Sequence, residues 1–402
     1  MNDLKPILTT LWRAKSAPLL LILQIAVTFT ILVNAVYLII QKEALLIEPS
    51  GLDEDVIFTF QTNVQSSEPE EMIALVKQDL RDIRSLSSVE NVTVMNAFPL
   101  SDWGSYALTG LGPTDEDMNI YTGYYTGDEH AIDTMGLELI AGEAPTEGEV
   151  QDSIDFSANV TQAIVSKGFA ERFYPDDWRA ILGTTVYLNY EPYIVKGVVK
   201  ELKSVWPGWY SHANTVLVPL RHISNNYKVL VRARAGDLEQ AKLQVVEQLM
   251  KTPGRHLDKL MDYQQMREDK FKSETAAIKT LYWVIVGLVL LTLLGIFGQA
   301  RFTIVKRRKQ IGTRRALGAS RGDILRYCMA ENAIVTFIGI VLGVICALLA
   351  NVQLVNHFDM APVPVIYLLQ VAGVILIVGQ LAVCQPAWIA ARVSPALATR
   401  SV

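Results

Sequence analysis

The residue types that most often carry chemistry are few in this chain and lie far apart. Neither a metalloprotease pair H-E-x-x-H nor a nucleophile elbow is present, and no phosphate loop G-x-x-x-x-G-K-[ST] occurs. The five histidines have no metal-ligand spacing and stand at His130, His212, His222, His256 and His357. The sequence therefore predicts no enzyme active site, no metal site, no cofactor bound by the chain itself and no nucleic-acid partner.

Positive charge is the chemistry that the sequence does concentrate, in residues 301–326. Nine lysines or arginines stand there with one acidic residue, Asp323. Charge is uneven over the whole chain as well, because residues 41–276 carry 21 basic and 37 acidic side chains, whereas the other 166 residues carry 15 and 4. A basic loop between apolar spans stays in the cytoplasm. The chain is therefore predicted to be electrically asymmetric across a bilayer.

Four apolar runs are long enough to cross a hydrocarbon core, which takes roughly 18–20 residues. They are 17–40, 281–300, 333–350 and 365–385. Because every basic cluster falls on one side, the ends 1–16 and 386–402 and the loop 301–332 are predicted to be cytoplasmic, with 41–276 and the short loop 351–364 outside. A cleaved signal peptide is the alternative for the first run. It fits less well, because the run exceeds the roughly 7–15 residues of such an apolar region and no A-x-A site follows.

Residues 41–276 have the pattern of an α+β domain. Strands are predicted at 56–60, 92–97, 163–166, 185–188, 193–199, 215–219 and 229–234, and helices at 69–86, 167–174 and 237–251. Glycine, threonine and aspartate crowd residues 101–130 and 142–160, which predicts long loops or an inserted second subdomain. No disulfide is predicted here, because the cysteines lie in or beside the spans at Cys328, Cys346 and Cys384.

Residues 257–280 keep a helical hydrophobic pattern that runs into the second span. Such a helix would form a stalk about 36 Å long at 1.5 Å per residue, and residues 41–48 would continue the first span as a shorter partner. A solvated linker is the alternative. The predicted fold is an α-helical membrane protein with four transmembrane helices plus a large α+β extracytoplasmic domain between helices 1 and 2, joined by a helical stalk.

Small residues recur every four positions in the third span, at Gly339, Gly343 and Ala347. This spacing puts them on one helix face and lets another backbone approach closely. The approaching helix could belong to the same chain or to a second subunit, and the sequence leaves both open.

Aromatic residues cluster in the sequence WPGWY, at Trp206, Trp209 and Tyr210. Exposed tryptophan and tyrosine are typical of protein contacts, so the cluster is a candidate contact for an adaptor or a substrate. Packing between two subdomains is the alternative. The acidity of residues 41–276 fits a cationic substrate, but solvation of an ordinary surface explains it equally well.

The basic loop has the sequence signals of two helices that meet at a tight turn. Helix-forming residues run to Leu317, Gly318 suits the left-handed conformation that ends a helix, and Ser320 with Asp323 forms a capping box for the next helix. Three arginines surround the turn, at Arg314, Arg315 and Arg321. An anchor on anionic lipid would explain the charge but not the turn. The turn is therefore a candidate to fit a cleft on a separate protein, with Arg314 and Arg315 pairing to acids there.

The chain resembles the FtsX-like permease superfamily, in particular the MacB and LolC/LolE type of ABC transporter membrane subunit. The main match is RRKQIGTRRALGASRGDILRYCMAENAIVTFIGIVLG (307–343), similar to R-x-x-E-I-G-x-x-R-A-L-G-A-S and a glycine-rich span. The end of the chain resembles the tail P-A-x-x-A-A-x-x-x-P-x-x-A-L-R at Pro386, Ala387, residues 390–393, Pro395, Ala396 and Leu397. GLELIAGEAP (136–145) and GTTVYLNYEPYIVKGVVKEL (183–202) resemble the MacB-type periplasmic core domain. Two residues depart from these patterns. The family has an acid at the position of Gln310, and it often has an arginine at the position of Glu143.

The resemblance implies a permease in a bacterial inner membrane that forms a homodimer or heterodimer. Two copies of a cytoplasmic ATPase, which use ATP and magnesium, would seat the turn and move the periplasmic domains, a mechanism called mechanotransmission. Export or extraction of a peptide, lipoprotein or small toxic molecule would follow, with a periplasmic adaptor and an outer-membrane channel as further partners. On that analogy the ATPase-coupling residues are Gly312, Arg314, Arg315, Ala316, Leu317, Gly318, Ala319 and Ser320.

A second function within the superfamily stays open. A non-transporting FtsX-like regulator would transmit ATPase motion to extracytoplasmic enzymes instead of expelling a substrate. The sequence distinguishes neither these two functions nor the substrate, the direction of movement or the identity of the second subunit.

Overall fold

A computed structural model describes residues 16–66, 68–101, 103–154, 160–252, 254–358 and 362–392. The chain divides into two units. The membrane unit consists of Met1–Ala44 and Glu274–Val402, and the large domain consists of Leu45–Ser273. Residues 1–15 and 393–402, which contain most of the two predicted cytoplasmic ends, lie outside the described residues.

The described elements run in chain order through both units. The α-helices are α1 Ser16–Leu46, α2 Pro69–Arg84, α3 Ala131–Met135, α4 Lys167–Phe173, α5 Leu238–Met250, α6 Tyr263–Lys270, α7 Lys272–Lys306, α8 Arg308–Ala316, α9 Arg321–Phe358 and α10 Val365–Ala391. The strands are β1 Ile57–Asn63, β2 Val89–Met95, β3 Ser105–Gly110, β4 Ile120–Gly127, β5 Leu139–Gly142, β6 Gln151–Ser153, β7 Gln162–Ser166, β8 Thr185–Leu188, β9 Glu191–Val199, β10 Thr215–His222, β11 Asn226–Ala233 and β12 Leu257–Asp262. Short 3₁₀ helices occur at Glu54–Val56, Glu147–Glu149 and Trp178–Ile181.

Within the part of the chain that the structure describes, four helices of the membrane unit are long and apolar enough to span a membrane, namely α1, α7, α9 and α10. They extend beyond the apolar runs on which the prediction was based, because flanking lysine, arginine, glutamate and glutamine are good helix formers. Their apolar side chains meet in one cluster that includes Ile25, Phe29, Ile296, Val335 and Ile375. Many other leucine and isoleucine side chains stay exposed, as expected for helices that face lipid.

The first lobe of the large domain is an antiparallel sheet in the order β12-β1-β11-β2, covered by α2 and α5. Helix α2 begins at Pro69, a residue suited to the first helical position, and carries acids in its first turn and arginines in its last. It buries Met72, Val76, Leu80 and Ile83 at helical spacing against the sheet.

The second lobe is inserted between β2 and β11. Its strands follow the order β4-β3-β8-β9-β7-β10-β6, with β5 paired to β9. Strand β10 also pairs with β4, in parallel, so the path closes on itself. Its core is formed by small and branched side chains such as Ala163, Val186, Val198 and Val218 with Phe169 of α4. The inserted subdomain that the sequence suggested is therefore confirmed.

Every strand and helix predicted within residues 56–251 is confirmed, with ends within three residues of those observed. Four strands were missed in this range, β3, β4, β5 and β6. The glycines and threonines of β3 and β4 give turn signals, and β5 and β6 have only four and three residues. Strands β3 and β4 pair with each other, and each also pairs with a strand that is remote in sequence: Thr109 of β3 lies opposite Leu188 of β8, and Tyr125 of β4 lies opposite Leu217 of β10. Pairing within the sheet, rather than local propensity, fixes these elements.

The continuous helix predicted over residues 257–280 is wrong in its first part. Leu257–Asp262 form β12, which pairs with β1, and helices resume only at α6 and α7, separated at Phe271. The helical pattern of these residues was too weak to outweigh the hydrogen bonds and side-chain packing available at the open edge of β1. By contrast, α1 does continue through residues 41–46.

Candidate functional site

The turn predicted in the basic loop lies between α8 and α9. Helix α8 ends at Ala316, and Gly318 adopts φ +101°, in the region that favours glycine. The amide of Ala319 donates to the carbonyl of Arg314 at 3.0 Å, and the amide of Gly318 donates to that of Arg315 at 3.2 Å. These two bonds form a Schellman motif, which satisfies carbonyls at the helix end.

The next helix begins with the predicted capping box. The amide of Asp323 donates to Ser320 Oγ at 3.1 Å, and the amide of Ser320 donates to the Asp323 carboxylate at 2.9 Å. The sequence does contain the letters of a nucleophile elbow, G-x-S-x-G, once, as GASRG at 318–322 in this turn, so the prediction that no such elbow is present depends on the structure here. A nucleophile elbow needs a turn from a strand to a helix, however, whereas this segment joins two helices and its serine hydroxyl donates to Asp323 at 2.6 Å. Ser320 is therefore a cap and not a nucleophile.

Apolar contacts hold the turn in place within the membrane unit. One cluster draws on α7, α8, the turn, α9 and α10 through Ile304, Ile311, Ala319, Ile324, Cys328, Ala390 and Ala391. Nearby, Arg307 donates to both carboxylate oxygens of Glu331 at 2.9 and 3.0 Å. The turn is thus a supported projection, which suits it to transmit force.

The side chains at the tip of the turn face outward. Leu317 is 83% exposed, an unusual position for a leucine next to charged residues. Arg314 is exposed and lies 4.4 Å from the ring centre of Tyr327, while Arg315 donates to the carbonyl of Ala319 at 3.2 Å. An apolar knob with a cation beside it can enter an apolar cleft that has an acidic rim.

The structure brings seven of the eight predicted coupling residues together in residues 314–320. Ala316, Gly318 and Ser320 are exposed and Ala319 is half-buried. Gly312 is different, because it is buried in α8, one turn before the tip. It therefore supports helix packing and does not lie on the exposed surface.

The small-residue face of the third span packs on the first span of the same chain. A Cβ atom on Gly339 would lie 2.8 Å from Ile25, and one on Gly343 would lie 2.8 Å from Phe29. Ala347 is buried in the same cluster of the membrane unit. The close approach of backbones is therefore intramolecular at these positions.

Polar side chains join other pairs of spans. Gln24 Nε2 donates to the carbonyl of Leu291 at 3.0 Å, and Asn332 Nδ2 donates to the carbonyl of Gly379 at 3.1 Å. The hydroxyls of Thr28 and Thr292 lie 3.0 Å apart. Such bonds stabilise helix association where apolar burial provides little driving force.

The aromatic sequence WPGWY lies on the large domain and is part of a longer row of rings. From Tyr121 the row passes through Tyr106, Trp206 and Trp209 to Tyr210, with ring centres 5.4–6.0 Å apart. Trp206 packs on the core between the lobes, whereas Tyr210 is 76% exposed. The packing interpretation therefore holds for Trp206, while the contact with an adaptor or a substrate stays a prediction for the exposed Tyr210. The sequence missed Tyr106 and Tyr121 because β3 and β4 were not predicted.

The buried charges of the large domain are paired and act structurally. Arg221 lies beside Asp128, Glu129 and Asp152, with nitrogen–oxygen distances of 2.5–3.5 Å. Burial raises the pKa of Asp128 above its usual value, although Arg221 and Thr93 favour its charged form. Over the described ranges, no three histidine, cysteine, aspartate or glutamate side chains are placed to hold a metal ion.

Comparison with known proteins gives matches in both units. The model of the MacB-like periplasmic core domain matches residues 17–248, and that of the FtsX-like permease C-terminal matches residues 282–395. The macrolide export ATP-binding/permease protein MacB of Neisseria gonorrhoeae is 24% identical over 61% of this chain and 38% of its own length. The uncharacterized ABC transporter permease YknZ of Bacillus subtilis is 25% identical over 47% of this chain and 49% of its own length.

The chain therefore spans less than half the length of these curated relatives. Among solved structures, the periplasmic region of MacB from Actinobacillus actinomycetemcomitans is 15% identical, with a TM-score of 0.34. That match covers 56% of this chain and 96% of the other.

Proposed function

We propose that this chain, which belongs to the MacB-like periplasmic core domain family and carries an FtsX-like permease C-terminal region, is an ABC transporter permease subunit that works by mechanotransmission. ATP hydrolysis by a separate cytoplasmic ATPase would move the turn between α8 and α9, and that motion would reach the large domain. The observation that carries this proposal is the turn itself. Hydrogen bonds cap the end of α8 and the start of α9, an apolar cluster of neighbouring helices packs against the turn, and Leu317 is exposed at its tip.

The proposed complex contains two such permeases, identical or different, and two ATPase subunits that use ATP and magnesium. The membrane unit would lie in a bacterial inner membrane with both termini in the cytoplasm and the large domain in the periplasm. The exposed ring of Tyr210, with the half-buried ring of Trp209 beside it, offers a contact for a periplasmic adaptor that leads to an outer-membrane channel. The cargo would be a peptide, a lipoprotein or a small toxic molecule, exported or extracted from the membrane.

Replacement of Gly318 by valine tests the shape of the turn. A β-branched residue at φ +101° is strained, so the turn should distort and the ATPase that co-purifies in mild detergent should fall at least tenfold. Gly322→Val is the matched control, because Gly322 lies in the first turn of α9 without a positive φ. Equal recovery of ATPase with Gly318→Val and with the unchanged chain would exclude the turn as the coupling element.

Charge reversal separates ATPase binding from lipid anchoring. Arg314→Glu combined with Arg315→Glu should leave membrane yield near normal but reduce ATPase recovery and coupled hydrolysis at least tenfold. Arg308→Glu combined with Lys309→Glu makes the same charge change six residues earlier in α8, on two exposed residues. The lipid-anchor interpretation predicts the opposite pattern, in which both double variants lower membrane yield while the inserted protein still binds ATPase.

A further inference from the structure

The segments that begin and end the large domain meet at one arginine. Arg267 belongs to α6, four residues before Phe271 separates that helix from α7. Its Nη1 donates to the carbonyl of Leu46, the last residue of α1, at 3.1 Å, and its Nη2 donates to the carbonyl of Glu48 at 3.1 Å. The carbonyls at the end of a helix have no partner within it, so the guanidinium caps α1.

The same guanidinium also binds a carboxylate. Its Nε donates to Glu54 Oε2 at 2.7 Å and its Nη2 donates to Oε1 at 2.5 Å, which is the paired geometry that only arginine provides. Burial alone would raise the pKa of Glu54, but hydrogen bonds from Arg267 and Ser50 outweigh it and the pKa is lowered. The Arg267 and Glu54 side chains are 21% and 19% exposed, so water screens the pair less than it would a surface pair.

A third segment of the large domain contacts these residues through Glu48. The Glu48 carboxylate lies 2.6 Å from His212 Nε2 and 3.2 Å from Lys203 Nζ. These two residues flank the WPGWY sequence, and a Cβ on Gly208 within it would lie 3.5 Å from Leu45. The backbone of Glu48 therefore bonds to Arg267 while its side chain bonds to the base of the aromatic row.

We infer that Arg267 is a positioning residue that makes the first and last segments of the large domain move as one body. Glu48 extends this coupling to the aromatic row, so that displacement of either segment shifts the surface that a partner would contact. We call the group of Arg267, Glu54 and Glu48 the junction. The inference rests on the proposed function for the source of the movement, but the junction itself is testable without an ATPase.

The first experiment measures amide hydrogen exchange in the full chain in nanodiscs. Arg267→Gln should speed exchange at least tenfold in residues 45–54 and 263–273 together, because the carbonyl and carboxylate contacts are lost at once. Arg267→Lys should give an intermediate effect, since a single ammonium cannot serve both carbonyls and the carboxylate. The control Lys196→Gln cuts a comparably covered ion pair, with Glu149 in the second lobe, and should leave both segments unchanged. Faster exchange in only one segment, or in neither, would overturn the inference.

The second experiment separates positioning from a purely structural role. A spin label at Tyr210→Cys, in a chain whose Cys328, Cys346 and Cys384 are replaced by serine, is followed in the complex with its co-purified ATPase, with and without ATP. With Arg267 intact the label should respond to ATP; with Arg267→Gln the response should fall at least fivefold while ATP turnover stays within twofold. A retained response would refute the coupling role. Absence of any response in the Arg267 protein would refute the proposed function instead, and the exchange experiment would still decide the junction.

Discussion

Different interactions stabilise the membrane unit and the large domain, each within itself. In the membrane unit, glycines allow helices to pack closely, because Gly339 and Gly343 have no side chain to hold α9 away from α1. A few hydrogen bonds, such as that from Asn332 to the carbonyl of Gly379, join other pairs of helices. In the large domain, apolar cores fill both lobes, and buried charges are paired, as Arg255 is with Asp79 at 2.7 Å.

The difference follows from the solvent. Lipid chains are as apolar as leucine, so association of spans depends on close packing and polar bonds rather than on apolar burial. Water drives the large domain to bury apolar side chains, and charges that are buried along with them need partners. The sensitive positions are therefore expected to be glycines in one unit and charged residues in the other.

The largest effect is expected from a buried charge in the large domain. Asp79→Ala would leave Arg255 buried with no carboxylate partner and remove the acceptor of the Tyr227 hydroxyl, at a cost of about 3–5 kcal/mol. Pulse proteolysis of the full chain in urea measures the loss. Asp82→Ala, on the same helix and partly exposed, should cost less than about 0.5 kcal/mol. Similar costs for both variants would contradict the view that buried charges hold this domain.

A smaller effect is expected from the glycines of the membrane unit. Gly339→Leu or Gly343→Leu would force α9 away from Ile25 or Phe29 and should cost about 1–3 kcal/mol of helix packing. Thermal unfolding in detergent reports it. Gly373→Leu is the control, since a Cβ there meets nothing within 4 Å of the chain. If all three variants behave alike, close packing at these glycines is not what joins the spans.

The smallest effect concerns a partly exposed ion pair and depends on pH. Hydrogen bonds from Lys196, at 2.6 Å, and from Thr146 lower the pKa of Glu149 to about 2 from an ordinary value of 4.5. A lowered carboxyl pKa stabilises the fold above about pH 4.5, and this contribution is lost as the pH falls toward 2. Glu149→Gln should remove that pH dependence and cost less than about 1 kcal/mol at neutral pH. The free energy of unfolding measured between pH 2 and 7 tests this prediction, with the exposed Glu147→Gln as the control. If Glu149→Gln shows the same pH dependence as the unchanged chain, Glu149 is not its cause.

Two features of the turn between α8 and α9 were predicted from sequence: the left-handed Gly318 after α8 and the capping box of Ser320 with Asp323. A glycine after the last helical residue and a serine three residues before an aspartate are local signals, and each bond that they predict spans five residues or fewer. The spans were predicted for a similar reason, because length and apolar composition alone decide them.

The strand β12 and the aromatic row show where the sequence was insufficient. Leu257–Asp262 carry a weak helical pattern, and only the open edge of β1 makes them a strand. Tyr106 and Tyr121 join Trp206 in one row only because β3 and β4 pair beside that loop.

The sequence by itself determined the four apolar helices found among the described residues, most elements of the large domain and the turn between α8 and α9, since these depend on composition and on contacts a few residues long. Tertiary structure alone decided the junction. Arg267 lies 221 residues from Leu46 and 213 from Glu54 along the chain, and no spacing rule connects them. One guanidinium finds two carbonyls and a carboxylate only after both lobes have folded and brought the two ends of the domain together.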